Sequence, residues 1–233
     1  MILMGDNIGM GDDNIECGQK FAIAMVIDVS GSMCAHVDKL SESFNSFLDA
    51  AKADYKIANK ADVAVITFNS DVYVNVPFNN ISAVGYQHFT ASGGTSIAAA
   101  MEKANELVRE RTREYNRNGI RAYKPWIVLM TDGYSGDSVD SIAATLKQRE
   151  RDGKVRIFAL GMGTGFDKST LAKFTDKTLA ITDWDFEQFF GWLGRSVAVV
   201  STSTPGSSNQ QICSVDDDLM DMSQQYNKFI GTM

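Results

Sequence analysis

Three cysteines, three prolines and two histidines in 233 residues leave several chemistries without material. Cys17, Cys34 and Cys213 are odd in number, far apart and without a C-x-x-C pair. That argues against a disulfide framework or a structural zinc site. His36 and His88 stand at no ligand spacing. No apolar run is long enough to span a bilayer. Residues 1–19 lack the basic start and long apolar stretch of a secretory signal, so the expected compartment is the cytoplasm. An excess of positive charge is missing too. The net charge is −7, and its acids gather at the ends: Asp6, Asp12, Asp13 and Glu16 at one, Asp216, Asp217, Asp218 and Asp221 at the other. Without those eight acids, and without Lys20 and Lys228, the remainder holds 21 acids against 20 bases. Such a balance excludes the one-sided basic surface of a nucleic-acid binder.

What the chain does have is one buried-strand signal that ends in polar oxygen. Ala22 to Ile27 is an unbroken apolar run rich in Ile, Val and Met, suited to a central strand covered on both faces. It leads into Asp28-Val29-Ser30-Gly31-Ser32-Met33. A gently turning backbone can aim Asp28, Ser30 and Ser32 at one point, and a carboxylate with two hydroxyls suits a hard cation. A polar turn with Ser32 capping the next helix remains the alternative.

Strands and helices alternate beyond that point. Val37, Leu40, Phe44, Phe47, Leu48 and Ala51 predict an amphipathic helix to about Ala53. Ala61–Phe68 reads as a strand, Asn69-Ser70-Asp71 as a turn, and Val72, Val74 and Val76 as an antiparallel edge strand ended by Pro77. Ala91-Ser92-Gly93-Gly94-Thr95 precedes a helix carrying Ile97, Met101, Ala104 and Val108. Trp126–Met130 is a buried strand followed by Thr131-Asp132-Gly133 and a helix. Val155–Leu160, a short helix near Leu171, Leu179–Ile181 and a helix striped by Phe186, Phe189, Phe190, Leu193 and Val197 complete the series. The pattern implies an α/β fold, a mostly parallel sheet with helices on both faces. Residues 1–19 read as a polar lead-in, 20–200 as the domain and 201–213 as a linker. Residues 214–233 read as an acidic tail, with a short amphipathic helix through Leu219, Met222, Tyr226 and Phe229.

Three loops gather oxygen donors where binding groups collect in open parallel sheets, outside the carboxyl ends of the strands. They are Asp28-x-Ser30-x-Ser32, Thr95 after the double glycine, and Asp132. Thr95 also fits a helix cap, and Asp132 an acidic turn. This set, D-x-S-x-S then T then D, resembles the von Willebrand factor type A (VWA) family and its metal-ion-dependent adhesion site, over about residues 20–200.

The resemblance implies a doubly wound, Rossmann-like sheet with one antiparallel edge strand. It implies Mg²⁺ or Mn²⁺ held by Ser30 and Ser32, with Thr95, Asp28 and Asp132 contributing directly or through water. An Asp or Glu of a protein partner would complete the shell, and no catalytic group is implied. The opening Ile-Asp-Val-Ser-Gly-Ser-Met also looks like VWA proteins of bacterial tellurium-resistance and stress-response clusters. That likeness implies a kinase or phosphatase encoded alongside as partner. Self-association through Asp216–Asp218 is a further expectation. A surface adhesin would share the site chemistry, and a metal-dependent phosphohydrolase with Asp28 as nucleophile is the enzymatic alternative. Such enzymes carry a second acid two residues on, where this chain has Ser30. The weaker signals are structural. Gly161-Met-Gly163-Thr-Gly165 reads as a tight turn, Arg109 to Lys124 as a solvated basic segment, Asp137 as a helix cap, Cys34 as a packed thiol, and the histidines as incidental.

Overall fold

A computed structural model of the chain describes residues 18–205, 212–213 and 220–221. The apolar run forms β1, Gln19–Asp28, buried from Phe21 to its end. Its side chains divide by the strand period of two. Phe21, Ile23, Met25 and Ile27 enter one core, and Ala24 and Val26 enter the other. The first core takes the apolar stripes of α1 (Val37–Ala53) and α6 (Phe186–Ser201). The second takes those of α3 (Ile97–Arg117), α4 (Asp140–Arg151) and α5 (Lys168–Phe174).

Parallel pairing joins β1 to β2 (Ala61–Phe68) on one side and β5 (Trp126–Thr131) on the other. With β3 (Val72–Asn80), β6 (Arg156–Met162), β7 (Thr178–Ile181) and β8 (Met220–Asp221), the order is β3-β2-β1-β5-β6-β7-β8. A short β4, Arg121–Ala122, pairs with the start of β1. Because the chain leaves β1 in one direction and later resumes on its other side, the β1–β5 seam is the topological switch point. Asp28 and Asp132 sit at its carboxyl end.

The mostly parallel, two-faced sheet and the antiparallel edge at β3 agree with the sequence reading; several details differ. Pro77 does not end β3, which continues to Asn80. Its missing N–H falls in an edge strand where the ladder with β2 is irregular, between Val63 and Val65, so no regular bond is lost. Six residues read as connection form α2, Tyr55–Lys60, begun by the Asp54 side chain accepting from the Lys56 N–H. At the far edge β8 adds a second antiparallel strand, with Leu179 opposite Asp221. The helix expected over 214–233 is therefore contradicted at Met220 and Asp221; its remaining residues lie outside those described. Within the 201–213 linker, Ile212 and Cys213 pack on the first core, and the Cys213 carbonyl accepts from the Trp192 indole at 3.3 Å. No described helix is long and apolar enough to cross a membrane.

At the amino end of the sheet the basic segment is partly spent on structure. Asp62, 1% exposed at the start of β2, accepts from Arg111 and from the Tyr115 hydroxyl at 2.6 Å. Lys20 adds a longer contact of 3.4 Å. Removing the carboxylate would strand two partners in the interior. Asp62→Ala is expected to cost about 3 kcal/mol in urea denaturation, while any response to Mg²⁺, seated at the opposite end of the sheet, is retained.

Candidate metal centre

The predicted ligands are placed by the ends of β1 and β5 and by the loop that leads into α3. Asp28 is fully buried as the last residue of β1. One of its oxygens accepts from the Ser30 N–H at 2.8 Å, the other from the Thr131 hydroxyl of β5 at 2.5 Å. Ser30 is extended (φ −63°, ψ 168°), and Gly31–Ala35 then tightens into a 3-10 turn. That geometry puts the Ser30 and Ser32 hydroxyls 3.1 Å apart. Ser32 donates to Asp132 at 2.8 Å, closing the gap between the β1 and β5 turns. A hydroxyl that gives its proton to a carboxylate keeps its lone pairs for a cation.

The third loop is stitched to the first by backbone. Gly31 N–H donates to the Gly93 carbonyl at 3.0 Å, and Ser92 N–H to the Val29 carbonyl at 2.9 Å. Gly93 has φ 74°, a conformation that favours glycine, and any Cβ there would also press the Ser70 hydroxyl at 3.0 Å. Thr95 follows; its carbonyl accepts from Gly136 at 2.6 Å. Its hydroxyl lies 3.6 Å from where a Cβ on Gly133 would sit, beside the Asp132 turn. The residue flanking α3 is Ser96, without a side-chain capping bond. The capping group comes from another loop: Asp137 accepts from the Ala98 and Ala99 N–H groups, both at 3.1 Å. Thr95 is thus relieved of that duty. Asp137 caps α3, where the expectation named only a helix cap.

Asp28, Ser30, Ser32 and Asp132 are therefore joined by a chain of hydrogen bonds, with Thr95 beside the Asp132 turn, and oxygen donors of this kind suit a hard divalent ion. Among the described residues no three His, Cys, Asp or Glu side chains gather as a metal cluster, so a site here must use hydroxyl oxygen. The electrostatics point the same way. Burial raises the Asp28 carboxyl above its ordinary value, against hydrogen bonds from Ser30 and Thr131 that lower it. Burial likewise raises Asp132, against the Ser32 hydrogen bond and the nearby His36. Two carboxylates drawn from water, with neutral donors around them, are a place where a cation is favoured.

Thr131, to which the sequence pattern assigns no role, ties Asp28 to β5, and its position beside Asp132 at a strand end is the signal that points to it. Cys34, expected to be packed, is exposed, with its sulfur 3.6 Å from the Ala91 carbonyl. His36 is not incidental, since its ring lies flat against Trp184. Gly161 lies within β6 and Gly163 in the turn that follows it, and a Cβ at these positions would meet the rings of Phe166 and Trp184 respectively.

The fold and donor set define a class: a doubly wound α/β domain with an all-oxygen candidate site at its switch point. The chain belongs to the von Willebrand factor type A domain family, whose model matches residues 22–191. Comparison with curated proteins gives no match. Among solved structures, a von Willebrand factor type A protein from Catenulispora acidiphila is 17% identical with a TM-score of 0.58, over 78% of this chain and 43% of that one. Proximal thread matrix protein 1 of the mussel byssus, with a zinc-occupied MIDAS motif, is 18% identical with a TM-score of 0.55, over 78% and 48%. Manganese-loaded TRAP protein of Plasmodium vivax is 20% identical with a TM-score of 0.50, over 66% and 62%. At these identities the likeness shows the fold. The chain spans about half the length of the first two.

Because both carboxyls are raised, their contribution in metal-free protein is full below the unfolded value near 3.8 and is lost as pH rises through the folded values. Asp132→Asn keeps an acceptor for Ser32 without the charge. In chelator, wild type is expected to lose stability relative to Asp132→Asn as pH rises from 3 to 7, read by urea denaturation at each pH. A gap that widens in favour of wild type would contradict this electrostatic account.

Proposed function

We propose that this domain is a metal-dependent protein-interaction module, in which Asp28, Ser30, Ser32, Thr95 and Asp132 hold Mg²⁺ or Mn²⁺ and the ion receives a partner's Asp or Glu carboxylate. The observation that carries the reading is the 2.8 Å bond from Ser32 to Asp132, which joins the two turns flanking the switch point. Two carboxylates and three hydroxyls would leave a divalent ion one donor short of an octahedral shell, and an incoming carboxylate completes it. The zinc-occupied mussel protein and manganese-loaded TRAP, which share the fold, support a cation as occupant. The ion supplies electrophilicity; the chain orients it. Asp28, buried and with both oxygens accepting hydrogen bonds, suits a supporting ligand better than an attacking nucleophile.

The finer setting rests on the Ile27–Met33 opening. It supports a cytoplasmic role in a bacterial tellurium-resistance or stress-response system, with a kinase or phosphatase of the same cluster as partner. Self-association through Asp216–Asp218 would use the same chemistry, with one molecule's carboxylate meeting another's ion.

Free Mg²⁺ at a hundred times Kd is expected to stabilise the fold by about 2.7 kcal/mol. Asp28→Ala should abolish that shift while the chelated protein still unfolds cooperatively. Capture of the partner from native lysate should be lost both in EDTA and with Asp28→Ala. A thermal shift that survives Asp28→Ala and Asp132→Ala would put the ion elsewhere, and EDTA-resistant capture would remove the ion from recognition.

A further inference from the structure

One indole ring outside the ligand set meets the β6–α5 turn, the first residue of α6 and the residue that closes the Gly31–Ala35 turn. Trp184, between β7 and α6, is the one non-glycine with positive φ, 61°, among the described residues. A bulky side chain does not take that backbone for local reasons, so its surroundings hold it there. Gly163 of the β6–α5 turn makes room for the ring: a Cβ there would come within 2.7 Å of the indole. Phe186 meets the ring edge-on, with centroids 6.2 Å apart. His36 stacks on it, with centroids 3.6 Å apart and planes 5° from parallel.

His36 is where this packing reaches the site. Its N–H donates to the Met33 carbonyl at 2.8 Å, closing the 3-10 turn that carries Ser32. The ring of Trp184, seated on the main core, is thus linked through His36 to the turn whose Ser32 hydroxyl donates to Asp132.

We propose that Trp184 is a positioning residue of the metal site: by holding His36 it fixes the Gly31–Ala35 turn against Asp132 and thereby sets the affinity for a divalent cation. The proposal rests on the metal-site reading above. It needs no contact between Trp184 and the ion, only that the hydroxyl turn loses its register with Asp132 when the stack is removed.

The test is Mn²⁺ binding by the full chain, with free Mn²⁺ counted by electron paramagnetic resonance and the melting temperature taken in chelator. Trp184→Gly keeps the backbone conformation accessible and deletes the ring; His36→Ala deletes the other half of the stack. Each should weaken Mn²⁺ binding about ten- to a hundredfold, as loss of an orienting partner does. The double variant should be no weaker than the worse single one, because the two act as one unit. His36→Phe restores a ring for stacking and should return to within about threefold of wild type. Should Trp184→Gly fail to fold, the Ala and Phe variants of His36 decide the matter. Variants that lower the melting temperature yet bind Mn²⁺ like wild type overturn this role alone. A wild-type chain that takes up no Mn²⁺ overturns it together with the metal site.

Discussion

One fully buried and one half-buried carboxylate at neighbouring strand ends are the constraint around which this domain is arranged. Asp28 and Asp132 are each raised by burial, and among the described residues neither accepts a hydrogen bond from a cationic side chain. Neutral hydroxyl and amide donors orient them without cancelling their charge. Such a pair costs the isolated fold stability. The rest of the carboxyl edge keeps the pair in place. Gly31 meets Gly93 through backbone, Asp137 caps α3, and Thr131 ties Asp28 to the next strand.

Strand order makes this convergence possible. Parallel neighbours deliver the ends of β1 and β5 to the same edge, and departure of the chain to opposite sides opens a crevice there. The alternating cores below hold the strands rigid, since every residue of β1 from Phe21 to Asp28 is buried. Oxygen groups 100 residues apart in sequence therefore meet within hydrogen-bond distance without a local motif spanning them.

Much of this was legible before any coordinates. Long apolar runs can be strands of only one kind, buried on both faces, and the helical stripes between them leave one architecture. The ligand set was legible because its first three members lie within five residues and the others directly follow strand or glycine signals. What escaped had short or non-local causes. α2 buries only Ile57 and depends on the Asp54 cap, so periodicity had little to detect. β8 is two residues long and made by pairing with β7, against a helical spacing that local propensity favours. Pro77 marks an edge strand correctly but does not end it, because the ladder irregularity absorbs the missing donor. The stack of His36 on Trp184 joins residues from opposite ends of the domain, and no spacing rule connects them.

A second buried aspartate shows why the site is a site. Asp62 opens β2 at the amino edge and is as inaccessible as Asp28, which closes the adjacent β1 at the carboxyl edge. Asp62 is met by the guanidinium of Arg111 and the ammonium of Lys20 besides the Tyr115 hydroxyl. Its charge is answered within the chain, and it anchors α3 to the sheet. Asp28 receives one amide and one hydroxyl and stays unanswered. Burial alone does not distinguish the two roles, and neither does residue type. The distinction is the sign of the partners: Asp62 is met by cations of its own chain, whereas among the described residues Asp28 is met by neutral donors alone.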